Sequence, residues 1–127
     1  MRLATVQVDE EIHSVEFHPD GLLLGAGLKN GVIKIYDMRS LKPMIEIDKF
    51  KGLGEVSSLA FSNKGLYFAA AWKNSSSCRV FNLRKMQEES LEVSDPEGFK
   101  TSFVSFDYYG NYLATCAGTA VSLYTGK

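Results

Sequence analysis

From Ile12 to Phe17 the chain alternates, with Ile12, Ser14 and Glu16 on one side and His13, Val15 and Phe17 on the other. A period of two marks a strand with two unlike faces. Short runs of this kind recur along the sequence, separated by turn-forming residues. They predict twelve strands, near 3–8, 12–18, 22–27, 32–37, 43–47, 56–62, 66–72, 77–83, 90–94, 101–107, 111–117 and 119–125. Pro19-Asp20-Gly21 reads as a turn with glycine where a positive φ is needed. Asn30-Gly31, between two alternating runs, is the strongest short hairpin signal. Twelve short strands with essentially no helix make the chain all-β.

The strands repeat as a unit. Phe17, Phe61 and Phe106 recur at intervals of 44 and 45, and Gly21, Gly65 and Gly110 keep the same intervals. Small residues follow each glycine: Gly25-Ala26-Gly27, Ala69-Ala70-Ala71 and Ala114-Thr115-Cys116-Ala117. Each unit then ends on an alternating run with an aromatic: Tyr36-Asp37, Phe81-Asn82 and Tyr124-Thr125. This period is that of WD repeats, whose units are four-stranded propeller blades. The expected architecture is a WD-repeat β-propeller segment of three four-stranded blades, about 3–39, 43–85 and 90–125, incomplete as a closed propeller. In that phasing 3–8, 43–47 and 90–94 are the inner strands. Phe17, Phe61 and Phe106 are expected at equivalent buried places. The two outer blades would each present an open apolar face, which favours self-association.

Several hallmarks of the repeat are worn. The tryptophan of the terminal pair is replaced in all three units, its aspartate survives only as Asp37, and Asn30 stands where a buried hairpin aspartate is expected. The usual side-chain network cannot form intact, and such networks act as a unit.

Beyond the generic repeat, F-H-P-D-G-L-L-L-G-A-G-L-K-N-G-V-I-K-I-Y at 17–36 resembles the propeller of the pre-mRNA-processing factors of the spliceosomal nineteen complex. So do V-S-S-L-A-F-S-N-K-G-L-Y-F-A-A-A at 56–71, N-L-R-K at 82–85 and S-F-D-Y-Y-G-N-Y-L-A at 105–114. The resemblance covers nearly the whole chain. Members of that family carry a U-box with E3 ubiquitin ligase activity, then a tetramerising coiled coil, then the propeller. No U-box residue is present here to carry over. The resemblance implies a non-catalytic scaffold that binds spliceosomal or ubiquitin-ligase components in the nucleus. An unrelated WD-repeat adaptor in signalling or trafficking, in the cytoplasm, is the alternative.

Composition changes this picture little. The chain has 127 residues, 45% hydrophobic and 23% charged, and a net charge of −1, so no bulk field draws it to nucleic acid or membrane. No apolar run reaches the ~18–20 residues of a membrane span. Cys78 and Cys116 make no Cys-x-x-Cys pair, and His13 and His18 complete no metal spacing, so neither metal nor cofactor is expected. Gly25, Gly27 and Gly31 imitate a phosphate loop but end one strand and open another, where no helix N-terminus is available. No nucleophile shares a motif with either histidine, so no enzyme activity is expected of this chain.

The chemistry that remains is at one end of the blades. Alternate connections gather Arg39, Lys42, Lys64, Arg84 and Lys85 with Tyr108 and Tyr109. Basic residues beside exposed aromatics suit an acidic protein segment or, less readily, RNA, on whose bases tyrosines can stack.

Overall fold

A computed structural model describes residues 1, 3–64, 66–86, 90–108 and 111–125. Gly65, Tyr109 and Gly110, singled out above, lie outside the described residues. The first sheet runs in order through β1 (Ile12–Phe17), β2 (Leu23–Leu28), β3 (Ile33–Asp37) and β4 (Lys42–Ile47). The second contains β5 (Val56–Phe61), β6 (Tyr67–Trp72), β7 (Ser77–Asn82) and β8 (Leu91–Ser94). The third contains β9 (Thr101–Phe106), β10 (Tyr112–Ala117) and β11 (Ala120–Thr125). All pairings are antiparallel between neighbours in sequence, and the three sheets do not close into a ring.

The sheets are cut differently from the blade ranges expected above. Residues 42–47 pair back onto β3, with Asp37 opposite Lys42, rather than forward onto β5. The reason is loop length: four residues, with Leu41 at φ 58°, turn β3 into β4, whereas eight residues and a 3-10 turn (Lys51–Leu53) separate β4 from β5. Short connections make hairpins. β4 and β8 are therefore outer edge strands, and the inner strands are β1, β5 and β9, with β5 approaching both others. Residues 3–8 form no strand; Val6 and Val8 instead pack on Ala26, Leu28, Val32 and Tyr36.

Two apolar junctions hold the sheets together. Ile33, Ile35 and Ile47 of the first sheet meet Val56, Leu59, Phe68, Trp72 and Phe81 of the second. Ala60, Ala69, Ala71 and Cys78 of the second meet Val104 and Leu113 of the third, with Phe106 and Tyr124 at the margin. Each large side chain buried this fully contributes ~1.5–3 kcal/mol. The small residues of β2 are required by the first junction. A Cβ on Gly27 would lie 2.6 Å from Val56 Cβ, and closer still to Val56 Cγ1 and Ser14 Oγ.

Trp72 is fully buried at this junction, with its indole N–H donating to Gly31 O at 2.9 Å and its ring 4.9 Å from Phe50. It ties the two sheets together where the family's own polar network is worn. Gly31 has φ 90°, and an added Cβ there would meet the carbonyl oxygens of Gly54 and Phe50 within 3 Å. Asn30 supports the same turn, its Oδ1 accepting from Val32 N at 3.1 Å.

The three repeated phenylalanines are not equally buried. Phe61 and Phe106 are half-buried, but Phe17 is 59% exposed. Phe61 packs over the Gly25 site of the preceding sheet and beside His18 and Phe68. Phe17 has no preceding sheet to pack on among the described residues, so the equivalence holds for position and fails for burial.

Candidate partner-binding surface

Antiparallel meanders place the β1–β2, β3–β4, β5–β6, β7–β8 and β9–β10 connections at one end of their sheets. A recurrent device shapes these turns. Asp20 Oδ1 accepts from Leu22 N at 2.9 Å, Asp37 Oδ1 from Arg39 N at 2.7 Å, Asn82 Oδ1 from Arg84 N at 2.9 Å, and Asp107 Oδ1 from Tyr112 N at 2.6 Å. Ser62 Oγ does the same for Tyr67 N at 3.1 Å. Short polar side chains at turn starts bond the backbone ahead of them, which is why Asp and Asn stand at these positions. The backbone donors hold the carboxyls of Asp20 and Asp37 below the usual aspartate range; at Asp37 the Arg39 side chain adds to this.

The basic residues project from the same turns. Arg39, Lys42, Lys64, Arg84 and Lys85 are all exposed, and Tyr108 is 73% exposed. Arg39 also pairs with Asp37 at 3.4 Å. Among the described residues three carboxylates, of Asp20, Asp37 and Asp107, share this end, more than the basic reading of the sequence counted. Each accepts a backbone hydrogen bond of its own turn, and the Asp20 side chain stays half-exposed.

The opposite end carries a contact that the sequence did not reveal. A bulge in β1 between Ile12 and Ser14 leaves His13 as the extra residue and puts Ile12 on the face of Val15 and Phe17. His13 Nε2 lies 2.8 Å from Glu11, and Nδ1 contacts Glu55, which also pairs with Lys73 at 3.2 Å. The His13 hydrogen bond is the main cause holding the exposed Glu11 carboxyl below its ordinary value. The alternation in β1 hid the bulge, and the contact spans 42 residues of sequence.

Other chemistry is sparse. Among the described residues no group of three or more His, Cys, Asp or Glu could hold a metal ion. Cys78 and Cys116 are free thiols, and burial pushes Cys78 up to about 11, away from reactivity. A hollow of about 260 Å³ on the outer rim, between Phe50, Leu53, Ser77 and Arg79, is smaller than the usual small-molecule site.

Three stacked antiparallel meanders with a shared repeat define a WD-type β-propeller segment, a protein-interaction module. Residues 2–124 match the family model described as Nucleolar protein 10-like, N-terminal domain, and the chain belongs to that family. It is also similar to Pre-mRNA-processing factor 19 of Dictyostelium discoideum, 33% identical over 118 residues that cover 90% of this chain and 22% of that protein. The Homo sapiens Pre-mRNA-processing factor 19 is 36% identical over 131 residues, covering 99% and 25% respectively. The chain thus spans about a fifth to a quarter of the length of these relatives. Among solved structures, the β-propeller domain of Cps50 (Swd1) from Myceliophteria thermophila shares the fold with a TM-score of 0.78 at 14% identity, over 97% of this chain and 41% of that one.

Proposed function

We propose that this segment is the partner-binding part of a nuclear scaffold acting in pre-mRNA processing, in association with a ubiquitin ligase assembly. The observation that carries the reading is similarity to Pre-mRNA-processing factor 19 across nearly the whole chain. The nuclear location rests on the names of those relatives and of the matching family.

The binding surface is the turn end bearing Arg39, Lys42, Lys64, Arg84, Lys85 and Tyr108. Loops at a rigid sheet end are free to carry function because the sheet faces are committed to packing. The partner is an acidic protein segment, whose carboxylates would meet these cations while Tyr108 supplies apolar contact. The test is to replace Arg39, Lys64, Arg84 and Lys85 by glutamate in the full-length protein and measure partner recovery at low and moderate salt. Recovery should fall, and the difference from wild type should narrow with salt, because exposed charges are screened beyond ~10 Å at 0.1 M. Undiminished recovery of every partner would remove this surface from consideration. Recovery of RNA in place of protein would reassign the partner.

A further inference from the structure

The turn ends of the three sheets share one geometry but differ in charge. His18 N donates to Leu23 O at 2.9 Å, and Ser62 N to Tyr67 O at 2.8 Å. Asp37 and Asn82 each accept from the backbone N–H two residues on. In the first sheet, however, the side-chain acceptors of these turns are the carboxylates of Asp20 and Asp37, and in the third sheet one is that of Asp107. In the second sheet they are neutral, the Ser62 hydroxyl and the Asn82 amide. A neutral acceptor shapes the turn equally well and leaves the cations beside it uncompensated. Asp37 lies 3.4 Å from Arg39 and offsets it. No carboxylate occurs at 62–67 or at 82–86, and Glu88 and Glu89, further along, lie outside the described residues. Among the described residues neither Lys64 nor Arg84 pairs with a carboxylate, and both are exposed, as is Lys85.

Tyr67 stands in the middle of these cations. It pairs with Asn82 across the β6–β7 ladder, and Leu83 N donates to Leu66 O at 2.8 Å. β6 lies between β5 and β7, so the Lys64 turn flanks Tyr67 on one side and the Arg84–Lys85 turn on the other. Tyr67 is 41% exposed, and no uncovered sheet face explains this. Ala69 and Ala71, on the same face of β6, are fully buried and belong with Val104 and Leu113 of the third sheet. Leu23, at the same place in the first sheet, is half-buried against the second. The Tyr67 ring thus emerges at the end of a closed junction. Tyr108, two residues beyond the Phe106 that packs at the margin of that junction, adds an exposed ring from the neighbouring sheet.

We propose that the turn end of the second sheet is the centre of the partner surface. Tyr67 receives an apolar side chain of the partner, and Lys64, Arg84 and Lys85 hold the carboxylates on either side of it. The partner is therefore an acidic protein segment with an apolar residue set among its carboxylates, not a uniformly acidic one. This rests on the partner-binding reading of the turn end, and adds which turns carry the affinity and what the partner must contain. Aromatic contact at the centre of an interface supplies most of the binding energy. Charges around the centre select the partner and set its register. The Arg39 turn contributes less, because its own carboxylate already meets its guanidinium.

The experiment measures fluorescence anisotropy of three labelled probes with the whole chain at low salt: a polyglutamate peptide with one central leucine, a polyglutamate peptide of equal length, and oligouridylate. Circular dichroism checks that each variant folds. The wild type should hold the leucine peptide about threefold or more tightly than plain polyglutamate. Lys64→Glu with Arg84→Glu should weaken that binding about tenfold or more, and Arg39→Glu with Lys42→Glu about threefold or less. Asn82→Asp keeps the turn acceptor and adds only a charge, and should weaken binding about threefold or more. Tyr67→Ser should remove the preference for leucine, and Tyr67→Phe should keep it. Equal losses from the two charge reversals would overturn the assignment to the second sheet and leave the broader surface standing. A leucine preference that survives Tyr67→Ser, or that the wild type lacks, would overturn the Tyr67 contact alone. A wild type that holds neither acidic peptide, or holds oligouridylate more tightly, would overturn the acidic-segment reading itself.

Discussion

Gly25 and Gly27 lie two residues apart on one face of β2, and the same Gly→Ala change is expected to have opposite outcomes at the two. At Gly25 an added Cβ would meet only the tips of Leu59 and Phe61, at 3.4 Å. Those tips can yield, and alanine restricts the unfolded chain more than glycine, which stabilises by ~0.4–1 kcal/mol where the conformation is compatible. Gly25→Ala should therefore be neutral or slightly stabilising. At Gly27 the new carbon would sit 2.6 Å from Val56 Cβ, an atom bonded to the backbone of a fully buried residue. Relief requires β5 to move away from β2. Overpacking of this kind costs ~1–3 kcal/mol, and the gain in the unfolded state offsets only part of it. Gly27→Ala should lose about 1–2 kcal/mol net, a noticeable share of the ~5–15 kcal/mol typical of whole domains. Urea denaturation at one fixed protein concentration measures both variants. Trp72, the one tryptophan of the chain, is buried at this junction and reports on it by fluorescence. Equal midpoints for the two variants would refute the packing argument, since sequence repetition treats the positions alike, with Ala69 and Ala71 in the second unit.

Trp72→Phe should destabilise by ~2–4 kcal/mol, combining an orphaned Gly31 carbonyl with a partly emptied site; thermal unfolding by circular dichroism that matches wild type would deny the indole bond its role. Phe61→Ala should cost ~2 kcal/mol or more and Phe17→Ala less than ~0.5 kcal/mol in the dilute monomer, and a comparable loss at both would restore the burial equivalence rejected above. Asp20 and Asp37 titrate below the ordinary aspartate value in the folded chain. Their contribution is thus complete above about pH 4 and is lost as pH falls through the folded values, which carboxyl NMR titration with and without Asp37→Asn can follow. Carboxyl shifts indistinguishable from those of an unfolded peptide would contradict the turn bonds.

Much of this fold was legible because its signals are local. Alternation located all eleven strands to within a residue at either end. Asn30-Gly31 and Pro19-Asp20-Gly21 marked real turns, with Gly21 and Gly31 at φ 75° and 90°. What failed depends on partners distant in sequence. Residues 3–8 alternate as well as any strand, but alternation states only that a segment has two faces. Pairing needs a neighbour, and among the described residues the first sheet meets Val6 and Val8 with its face. The phase error has the same origin, because a repeat period is indifferent to where each unit is cut. The length of the 48–55 connection against that of 38–41 held the answer. The bulge at His13 and the bond from Trp72 to Gly31 gave no sequence signal, since both are set by the approach of two sheets.

The gathering of the candidate partner-binding residues at one turn end was legible for a related reason. In a stack of sheets the faces are consumed by packing, so side chains at turns are left for partners. Each turn here begins with a short acceptor that bonds its own backbone, as Asp20, Asp37, Asn82 and Asp107 do. Bonding of this kind ties the acidic groups to their own turns, while the basic side chains beside them are exposed. A chain with net charge −1 can thus gather exposed cations at one end. The arrangement predicts that removing an acceptor matters to a partner only through the turn it supports. Asp37→Ala should loosen the β3–β4 turn and displace Arg39, weakening binding even though it removes a negative charge. Asp37→Asn, which keeps the acceptor, should leave binding unchanged or strengthen it. If Asp37→Ala strengthens binding as much as Asp37→Asn, net charge alone governs this surface and the positioning argument is wrong.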